Sequence, residues 1–313
     1  MRVLITGGAG FIGANLARCL LADGGVSEVI ALDDLSSGDA SNLAGLDVEL
    51  VEGSVLDAEL VARTGRRVDA FVHLAAVPSV PRSIIDPMRS HHVNTTGTLH
   101  VLEAARDGGK HVIVASSSSV YGDNPALPKS EDLRQMPVSP YAVSKLATES
   151  YATAYHRCYD LPVLAFRFFN VFGPLQAAGH AYAAVVPAFL DAALKGQALP
   201  LQGDGHQSRD FTYVGTVVET IATALRRRVA HPHPVNLAFG TRTSLLELIA
   251  LLEELLGQPL DATALPTRVG DVRDSQADPS TLRSLFPDVT PVPLRDALVQ
   301  TIAWFRSLDA SGQ

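Results

Sequence analysis

Tyr141 and Lys145 carry the clearest chemical signal in the 313-residue chain. Side chains four positions apart lie on one face of a helix, so the Lys145 ammonium is expected beside the Tyr141 phenol. A free phenol has a pKa of about 10, which leaves only about 0.1% of it ionised at pH 7. A neighbouring cation favours the phenolate, and lowering the pKa by about three units, or about 4 kcal/mol, would make Tyr141 a usable base. The pair therefore predicts proton abstraction from an alcohol.

A glycine-rich loop near the N-terminus suggests which cofactor takes the hydride from that alcohol. The pattern G-x-G-x-x-G is met by Gly8, Gly10 and Gly13, and G-x-x-G-x-x-G is met when Gly7 replaces Gly8. The loop lies between a predicted strand and a predicted helix, where glycines let the backbone approach a pyrophosphate at the helix N-terminus. We interpret it as a dinucleotide-binding loop; the alternative is an ordinary structural turn.

Asp33 indicates which dinucleotide is bound. It follows Gly13 by 20 residues and comes at the end of the second predicted strand, where a carboxylate accepts hydrogen bonds from the adenosine ribose hydroxyls. A carboxylate there would repel a 2′-phosphate, and the next residue is Asp34 rather than an arginine. NAD is therefore predicted in preference to NADP.

Composition narrows the class of protein. Hydrophobic residues make up 47% of the chain and charged residues 19%, which is enough for one large core or two domains. The net charge of −8 and the lack of a long basic run disfavour nucleic-acid binding. No apolar run reaches about 18 residues and the chain opens directly into a predicted strand, so we expect no membrane span, no signal peptide and a cytoplasmic location.

The elements that must position these residues follow an α/β rhythm. Over the first 170 residues, short apolar strands alternate with helices, including a long helix over 88–106 and another that begins at Pro140. This pattern predicts a doubly wound parallel-sheet Rossmann domain with a smaller mixed α/β C-terminal substrate domain. The Rossmann domain is predicted over 1–171 plus about 210–239, and the second domain over about 172–209 plus 240–313. Residues 211–214 are predicted as a short strand.

Taken together, these motifs resemble the extended short-chain dehydrogenase/reductase family of NAD-dependent nucleotide-sugar epimerases and dehydratases. The resemblance covers nearly the whole chain. Besides Tyr141 and Lys145, it depends on the glycine loop 7–13, residues 73–76, Asn94, the run 116–122, residues 167–170 and residues 209–211.

The resemblance implies a role for each matching residue. Ser117 matches the catalytic group that hydrogen-bonds the sugar 4-hydroxyl, although four consecutive serines leave the choice among 116–119 open. The residues implied to bind the cofactor are Gly7, Gly10, Phe11, Ile12, Gly13, Asp33, Leu74, Ala75, Ala76, Asn94, Tyr141 and Lys145. The residues implied to bind substrate are Ser79, Ser117, Ser118, Asn170, Val186, Arg209, Arg273 and Ser275. For Arg209 the alternative is an ion pair with Asp204 or Asp210.

The positions after Ser117 favour one reaction. Sugar 4,6-dehydratases of this family carry Asp-Glu there as acid and base, whereas this chain has Ser118 and Ser119. Neither hydroxyl is a competent acid or base near pH 7. The resemblance therefore favours 4-epimerisation: Tyr141 takes the 4-hydroxyl proton, the C4 hydride moves to NAD and back, and the cofactor is not consumed. The cationic nicotinamide is expected to join Lys145 in lowering the Tyr141 pKa.

The preferred sugar depends on finer similarities. Segments 79–83, 182–187 and 270–275 look most like bacterial UDP-N-acetylglucosamine 4-epimerases. Ser275 matches a position that is bulky in relatives restricted to non-acetylated sugars. A UDP-GlcNAc/UDP-GalNAc epimerase, also active on UDP-Glc/UDP-Gal, is therefore expected.

One position departs from the family pattern. Many relatives carry Gly-Asp after the third strand, where the Asp contacts adenine, but the pair here is Gly53-Ser54. Asp57 is a possible substitute from the next turn. How adenine is held is thus open.

The same residues are compatible with other functions. The enzymatic alternatives are nucleotide-sugar dehydration, 3,5-epimerisation, decarboxylation or 4-keto reduction, and the non-enzymatic one is an NAD-sensing regulator, a class that typically lacks the Tyr or Lys. No metal site is predicted, since His91-His92 and His231-Pro232-His233 lack partners at ligand spacing. The family implies a homodimer formed through the helices that begin near Met88 and Pro140.

Overall fold

A seven-stranded parallel sheet is the centre of the protein. The computed structural model describes residues 1–178, 183–267 and 272–311, with side chains described as far as 308. The sheet strands are β1 (Arg2–Thr6), β2 (Glu28–Asp33), β3 (Val48–Glu52), β4 (Ala70–His73), β5 (His111–Ser117), β6 (Val163–Phe168) and β11 (Val235–Leu237). Their order is β11-β6-β5-β4-β1-β2-β3, and every neighbouring pair is parallel. This is the doubly wound arrangement that the sequence predicted.

Helices cover both faces of the sheet, as buried apolar strands require. The helices are α1 (Phe11–Ala22), α2 (Ala58–Gly65), α3 (Val80–Ile85), α4 (Pro87–His91), α5 (Gly97–Arg106), α6 (Pro140–Tyr159), α7 (Val185–Leu194), α8 (Val214–Arg227), α9 (Leu245–Leu256), α10 (Ser280–Leu285) and α11 (Leu294–Ser311). Alternation along β1 places Val3 and Ile5 in a cluster with α1 and α8, and Leu4 in a cluster with α2, α5 and α6. Each face of the sheet therefore has its own apolar core.

The helix predicted over 88–106 is interrupted. Between α4 and α5 the backbone makes a π-helical turn over His92–Thr96, which contains Asn94. The wider turn leaves the Asn94 carbonyl oxygen to accept hydrogen bonds from the hydroxyls of Thr98 at 2.6 Å and Thr148 at 3.0 Å. Turns of this kind are rare and recur at functional sites.

The C-terminal part builds a separate apolar cluster around α7, α9 and α11, with Phe189, Leu248 and Leu298 fully buried. Its strands are short: β7 (Val171–Phe172), β8 (Leu199–Gln202), β9 (Ser208–Arg209), β10 (Thr212–Tyr213), β12 (Thr243–Ser244) and β13 (Ala262–Leu265). The strand predicted over 211–214 is shorter than expected, because Val214 already begins α8. The small mixed α/β region is thus present, while its predicted domain boundaries stay a prediction.

Five candidate residues or segments lie together because the sheet is parallel. The carboxyl ends of parallel strands open at one edge, and β1 and β4 are the neighbours at which the strand order reverses. At or just beyond that edge come the glycine loop after β1, Asp33 on β2, Leu74 after β4, Ser117 on β5 and Asn170 after β6.

Candidate functional site

The glycine loop needs glycine for close backbone approach. Gly7 has a φ of +72°, and a Cβ there would lie 2.7 Å from the backbone nitrogen of Ala75. A Cβ on Gly13 would collide with the Gly7 carbonyl oxygen. Gly10 caps α1 without a side chain, so the N-terminus of the helix is open to a ligand. This loop fits a dinucleotide pyrophosphate at the N-terminus of α1, where Phe11 and Ile12 are half-buried.

Asp33 is held against the same loop. Its Oδ2 accepts from the Ala9 backbone N–H at 3.0 Å and its Oδ1 accepts from Leu35 N–H at 2.9 Å. Burial raises the pKa of Asp33, and these two backbone donors oppose that rise. The carboxylate therefore lies at the end of β2 where a ribose diol is expected.

The residues discussed for adenine already have structural partners. The Ser54 hydroxyl accepts from Leu56 N–H at 3.2 Å, and the Asp57 carboxylate caps α2 by accepting from Leu60 N–H at 2.9 Å. The suggested substitution of Asp57 for the adenine contact thus competes with a helix cap.

Asn94 joins the segment after β4 to α6. Its Oδ1 accepts from Val77 N–H at 2.7 Å, and its Nδ2 donates to the Ser144 hydroxyl at 2.9 Å. Leu74, Ala75 and Val77 are half-buried beside it, as is Ala76. Asn94 therefore fixes the backbone that approaches Gly7, which is a positioning task compatible with its predicted place in the cofactor site.

Tyr141, Lys145 and Ser117 come together at the end of β5. The Lys145 ammonium donates to the Ala115 carbonyl oxygen at 2.8 Å and is buried. The Ser117 hydroxyl lies close enough to the Tyr141 phenol to act on its pKa, and it accepts from Ser119 N–H at 3.2 Å. The structure thus brings the predicted catalytic residues into one cluster.

The electrostatics differ from the expectation. Burial raises the pKa of Tyr141, with the Ser117 hydroxyl acting in the opposite direction. Burial also lowers the pKa of Lys145 to about 8. In the chain by itself, therefore, the predicted lowering of the Tyr141 pKa by Lys145 is absent, because burial disfavours the charged form of each group.

The four serines have different surroundings. The Ser116 hydroxyl donates to Oε2 of Glu149 at 2.7 Å, away from Tyr141. Ser118 is half-buried, and the Ser119 hydroxyl oxygen is buried without a hydrogen-bond partner. Of the run, Ser117 is the one whose hydroxyl acts on the pKa of Tyr141.

A cavity of about 200 Å³ opens beyond β6 and is lined by predicted substrate residues. Asn170, Val186 and Arg209 contribute to it on one side. The apolar side chains that line it are Val171, Phe172, Ala183, Ala184, Val185, Ala188, Phe189, Phe211 and Leu245. One buried cation and a few polar groups in an apolar cleft are typical of a small-molecule site.

Arg209 does not form the alternative ion pairs among the contacts described. Its Nη1 donates to the carbonyl oxygens of Ser208 at 2.8 Å and Arg273 at 2.9 Å. Asp204 instead pairs with Arg273 at 3.0 Å, and Asp210 accepts from the Gly240 and Ala277 backbone N–H groups. The Arg273 side chain is 66% exposed in a second cavity next to the first.

Two further substrate candidates are less informative. Ser79 caps α3 by accepting from Arg82 N–H at 3.2 Å. Ser275 is buried, its N–H bonds the Ser208 carbonyl oxygen at 3.1 Å, and it lines neither of the two cavities. Tyr182, Gly270 and Asp271, which carried part of the resemblance, lie outside the described residues.

Sequence reasoning gave no role to a buried polar chain beneath the site. Both ring nitrogens of His73 meet hydroxyls, Nδ1 with Thr6 at 2.7 Å and Nε2 with Thr98 at 3.0 Å, and Thr98 reaches Thr148 at 3.2 Å. Burial, aided by the Lys145 charge, lowers the pKa of His73 to about 3. The position of His73 inside an apolar strand is the sequence feature that could have indicated this buried polar chain.

Two other expectations concern metal sites and membrane-spanning helices. In residues 1–178, 183–267 and 272–311, no group of three or more His, Cys, Asp or Glu side chains is arranged to hold a metal ion. Within the same ranges, no helix combines the length and apolarity needed to cross a membrane. The cytoplasmic location stays a prediction.

Comparisons with known proteins place these features in a family. A model of the NAD dependent epimerase/dehydratase family matches residues 3–238. A UDP-glucose 4-epimerase from Mycolicibacterium smegmatis is 38% identical over 314 residues, covering 98% of this chain and 99% of that protein.

Solved structures similar to this chain include both a 4-epimerase and a 4,6-dehydratase. A UDP-N-acetylglucosamine 4-epimerase from Methanobrevibacter ruminantium, in complex with UDP-N-acetylmuramic acid, is 34% identical with a TM-score of 0.91 and covers 98% of each chain. A dTDP-glucose 4,6-dehydratase from Streptomyces venezuelae, with NAD and TYD bound, is also 34% identical with a TM-score of 0.91 and covers 99% of this chain and 98% of that one.

The buried Lys145 predicts a pH-dependent stability. Its folded pKa of about 8 lies below the usual 10.5, so the folded state carries the full cost of the buried charge below pH 8 and loses it as the pH rises to about 10.5. Lys145→Met should therefore be more stable than wild type at pH 7, by up to about 3 kcal/mol, with the gain disappearing across that window. Urea unfolding at a series of pH values measures it.

Lys195→Met is the matched control. Lys195 forms a surface i,i+4 pair with Asp191 and is 52% exposed, so its replacement should change stability by less than about 0.5 kcal/mol without a trend in pH. A Lys145→Met variant no more stable than wild type at pH 7 would contradict the predicted cost of the buried charge.

Proposed function

The chain belongs to the NAD-dependent epimerase/dehydratase family, NAD is its cofactor, and we propose that it is a 4-epimerase of UDP-hexoses. One observation carries the choice of reaction: the turn after Ser117 presents Ser118 and Ser119 where a dehydratase needs carboxylates. That leaves the Tyr141 phenol, close to Ser117, as the principal acid/base of the cluster.

The cofactor would be held by the residues at the carboxyl edge of the sheet. The glycine loop 7–13 would receive the pyrophosphate, and Asp33 would accept from the adenosine ribose. When bound, NAD supplies an acceptor for the hydride of the sugar C4 and returns it. Lys145 would contribute a positive charge to the cofactor site beside Tyr141.

The protein side chains would move one proton. Ser117 would orient the sugar 4-hydroxyl and donate to the phenolate oxygen, which stabilises the ionised form of Tyr141. Tyr141 would take the proton from O4 and return it after the 4-keto sugar has turned over. The cavity bounded by Asn170, Val186 and Arg209 would hold the nucleotide diphosphate, with Arg209 supplying a fixed positive charge.

Dehydration is the second reaction to consider, since a 4,6-dehydratase is among the similar structures. The serine pair 118–119 argues against it, because elimination across C5 and C6 needs an acid and a base there. A regulatory NAD sensor is less well supported, since Tyr141 and Lys145 are both present.

Tyr141→Phe should slow turnover strongly. Loss of the acid/base group is expected to lower kcat by about 10²- to 10⁴-fold with little change in KM. Tyr159→Phe, an exposed tyrosine on the same helix, is the matched control and should keep wild-type activity. Because the base must be ionised, the wild-type rate should rise with pH along its acidic limb.

The assay is a panel of UDP-, dTDP- and GDP-sugars without added NAD, with products identified by NMR. A 4-epimer from a UDP-hexose supports the proposal, and a 4-keto-6-deoxy product would show a dehydratase. A wild-type protein that binds NAD but turns over none of the sugars would revive the regulator.

We further propose that acetylated UDP-hexoses are accepted. The support is the family position of Ser275, where a small residue would leave room for a 2-acetamido group. Ser275→Tyr should abolish turnover of UDP-GlcNAc/UDP-GalNAc while sparing UDP-Glc/UDP-Gal, and Ser275→Ala should spare both pairs. Circular dichroism must first establish that the Tyr variant folds, because Ser275 is buried. Equal loss on both pairs in a folded variant would count against a role for Ser275 in choosing the sugar.

A homodimer is proposed through α4 and α6. Apolar side chains are exposed on these helices and on the adjoining α3, with Ile85 71%, Met88 61% and Val143 54% accessible. Such a patch is typical of a protein contact. Val143→Glu should produce a monomer in light scattering, whereas Val299→Glu, which is on α11 and similarly exposed, should not. A wild-type monomer would reject the proposal.

A further inference from the structure

A buried ion pair lies directly behind the proposed catalytic cluster. Arg167 on β6 donates from Nη2 to Oε1 of Glu149 at 2.7 Å and from Nε to Oε2 at 3.0 Å. The two side chains are only 2% and 3% exposed. Neither residue contacts the cavity or the glycine loop among the contacts described, so the roles assigned above do not use this pair.

The pair holds the residue before Ser117. The Ser116 hydroxyl donates to Oε2 of Glu149 at 2.7 Å and lies 3.3 Å from the Lys145 carbonyl oxygen. The last two residues of β5 therefore differ: Ser116 is tied to the ion pair, and Ser117 lies beside the Tyr141 phenol.

The same pair holds the end of the turn after Ser117. Arg167 Nη1 donates to the Tyr121 hydroxyl at 2.9 Å, and that hydroxyl donates to Oδ1 of Asn236 at 2.6 Å. Tyr121 is the last residue of the short 3₁₀ turn Ser118–Tyr121. Ser117 is thus fastened on both sides, at Ser116 and at Tyr121, to one guanidinium–carboxylate pair.

Glu149 also belongs to the helix that carries the base. It follows Lys145 by four residues and Tyr141 by eight on α6, so all three lie on nearby faces of successive turns. A bidentate Arg–carboxylate pair has a fixed planar geometry. The pair therefore sets the position of the serine turn relative to α6.

We propose that Glu149, Arg167 and Ser116 form a positioning clamp that holds the strand end and turn around Ser117 and so keeps its hydroxyl beside the Tyr141 phenol. The clamp rests on the proposed function, because that function gives the closeness of Ser117 to Tyr141 its catalytic use. Its elements are a carboxylate on α6, a guanidinium on β6 and a hydroxyl on β5.

Stability alone is a poor explanation for this arrangement. Desolvation offsets much of the attraction in a buried ion pair, and an apolar replacement is often as stable. Here Glu149 accepts a hydrogen bond from Ser116, and Arg167 donates one to Tyr121. These two residues flank the proposed substrate-orienting turn.

Several charged or titratable groups lie near Tyr141 and Lys145. They include His73 on β4, Glu149 on α6, Tyr121 in the turn after β5 and Arg167 on β6. Since the Ser117 hydroxyl acts to lower the pKa of Tyr141, loosening its position should move the ionisation of Tyr141 to higher pH.

Ser116→Ala is the main test, because it removes one hydroxyl and leaves the ion pair intact. It should lower kcat about tenfold while KM changes less than about twofold. Ser90→Ala is the matched control: Ser90 is fully buried and donates to the Asp86 carbonyl oxygen at 3.2 Å, far from the serine turn in the chain. It should change neither constant.

The second readout needs no turnover. The ionisation of Tyr141 is followed in the purified protein by ultraviolet titration of tyrosinate, taken as the difference between each protein and its Tyr141→Phe counterpart. Ser116→Ala should shift this titration to higher pH, and Ser90→Ala should not. If the wild type turned over no UDP-sugar, the proposed function would fail while this titration still tested the clamp.

Glu149→Gln extends the test by weakening both attachments, and a folded variant should lose about 100-fold in kcat. If that variant does not fold, Ser116→Ala decides alone. A folded Ser116→Ala protein with wild-type kcat and an unmoved Tyr141 titration would overturn the clamp. So would an equal loss in Ser116→Ala and Ser90→Ala without a shift in the titration.

Discussion

The parallel register of the central sheet is the constraint on which the rest of the structure depends. Because all seven strands run in one direction, their carboxyl ends open at one edge, where Gly7, Asp33, Leu74 and Ser117 follow or end successive strands. Residues up to 110 positions apart in sequence thereby share one cleft. An antiparallel pairing of any inner strand would send one of these groups to the opposite side.

The cleft is built by burying polar groups rather than by exposing them. His73 meets Thr6 and Thr98, Asn94 meets Ser144, and Glu149 meets Arg167, all without access to water. In such surroundings a hydrogen bond orients its partners strongly, but a charge is costly, which is why the pKa of Lys145 falls and that of Tyr141 rises. A bound cationic cofactor would act against the second of these shifts.

Sequence reasoning succeeded where the signal is local. Apolar runs of four to six residues predicted the strands of the sheet, and the glycine spacing predicted the loop before α1. It was wrong about the continuous helix over 88–106, where a π-helical turn interrupts the helix and the Asn94 carbonyl oxygen accepts from Thr98 and from Thr148 of a different helix. In the chain by itself the Tyr141 pKa is raised rather than lowered, since the cost of burial depends on the whole cluster.

The order of residues along the chain is enough to determine the family, the dinucleotide loop and the pairing of Tyr141 with Lys145, because each of these needs only neighbours in sequence or helical spacing. Which of four identical serines lies beside the phenol could be decided only in three dimensions. Ser116 and Ser117 are chemically the same, but as successive residues of β5 they point to opposite faces. Ser116 therefore meets Glu149, 33 residues further along the chain, while Ser117 lies beside Tyr141.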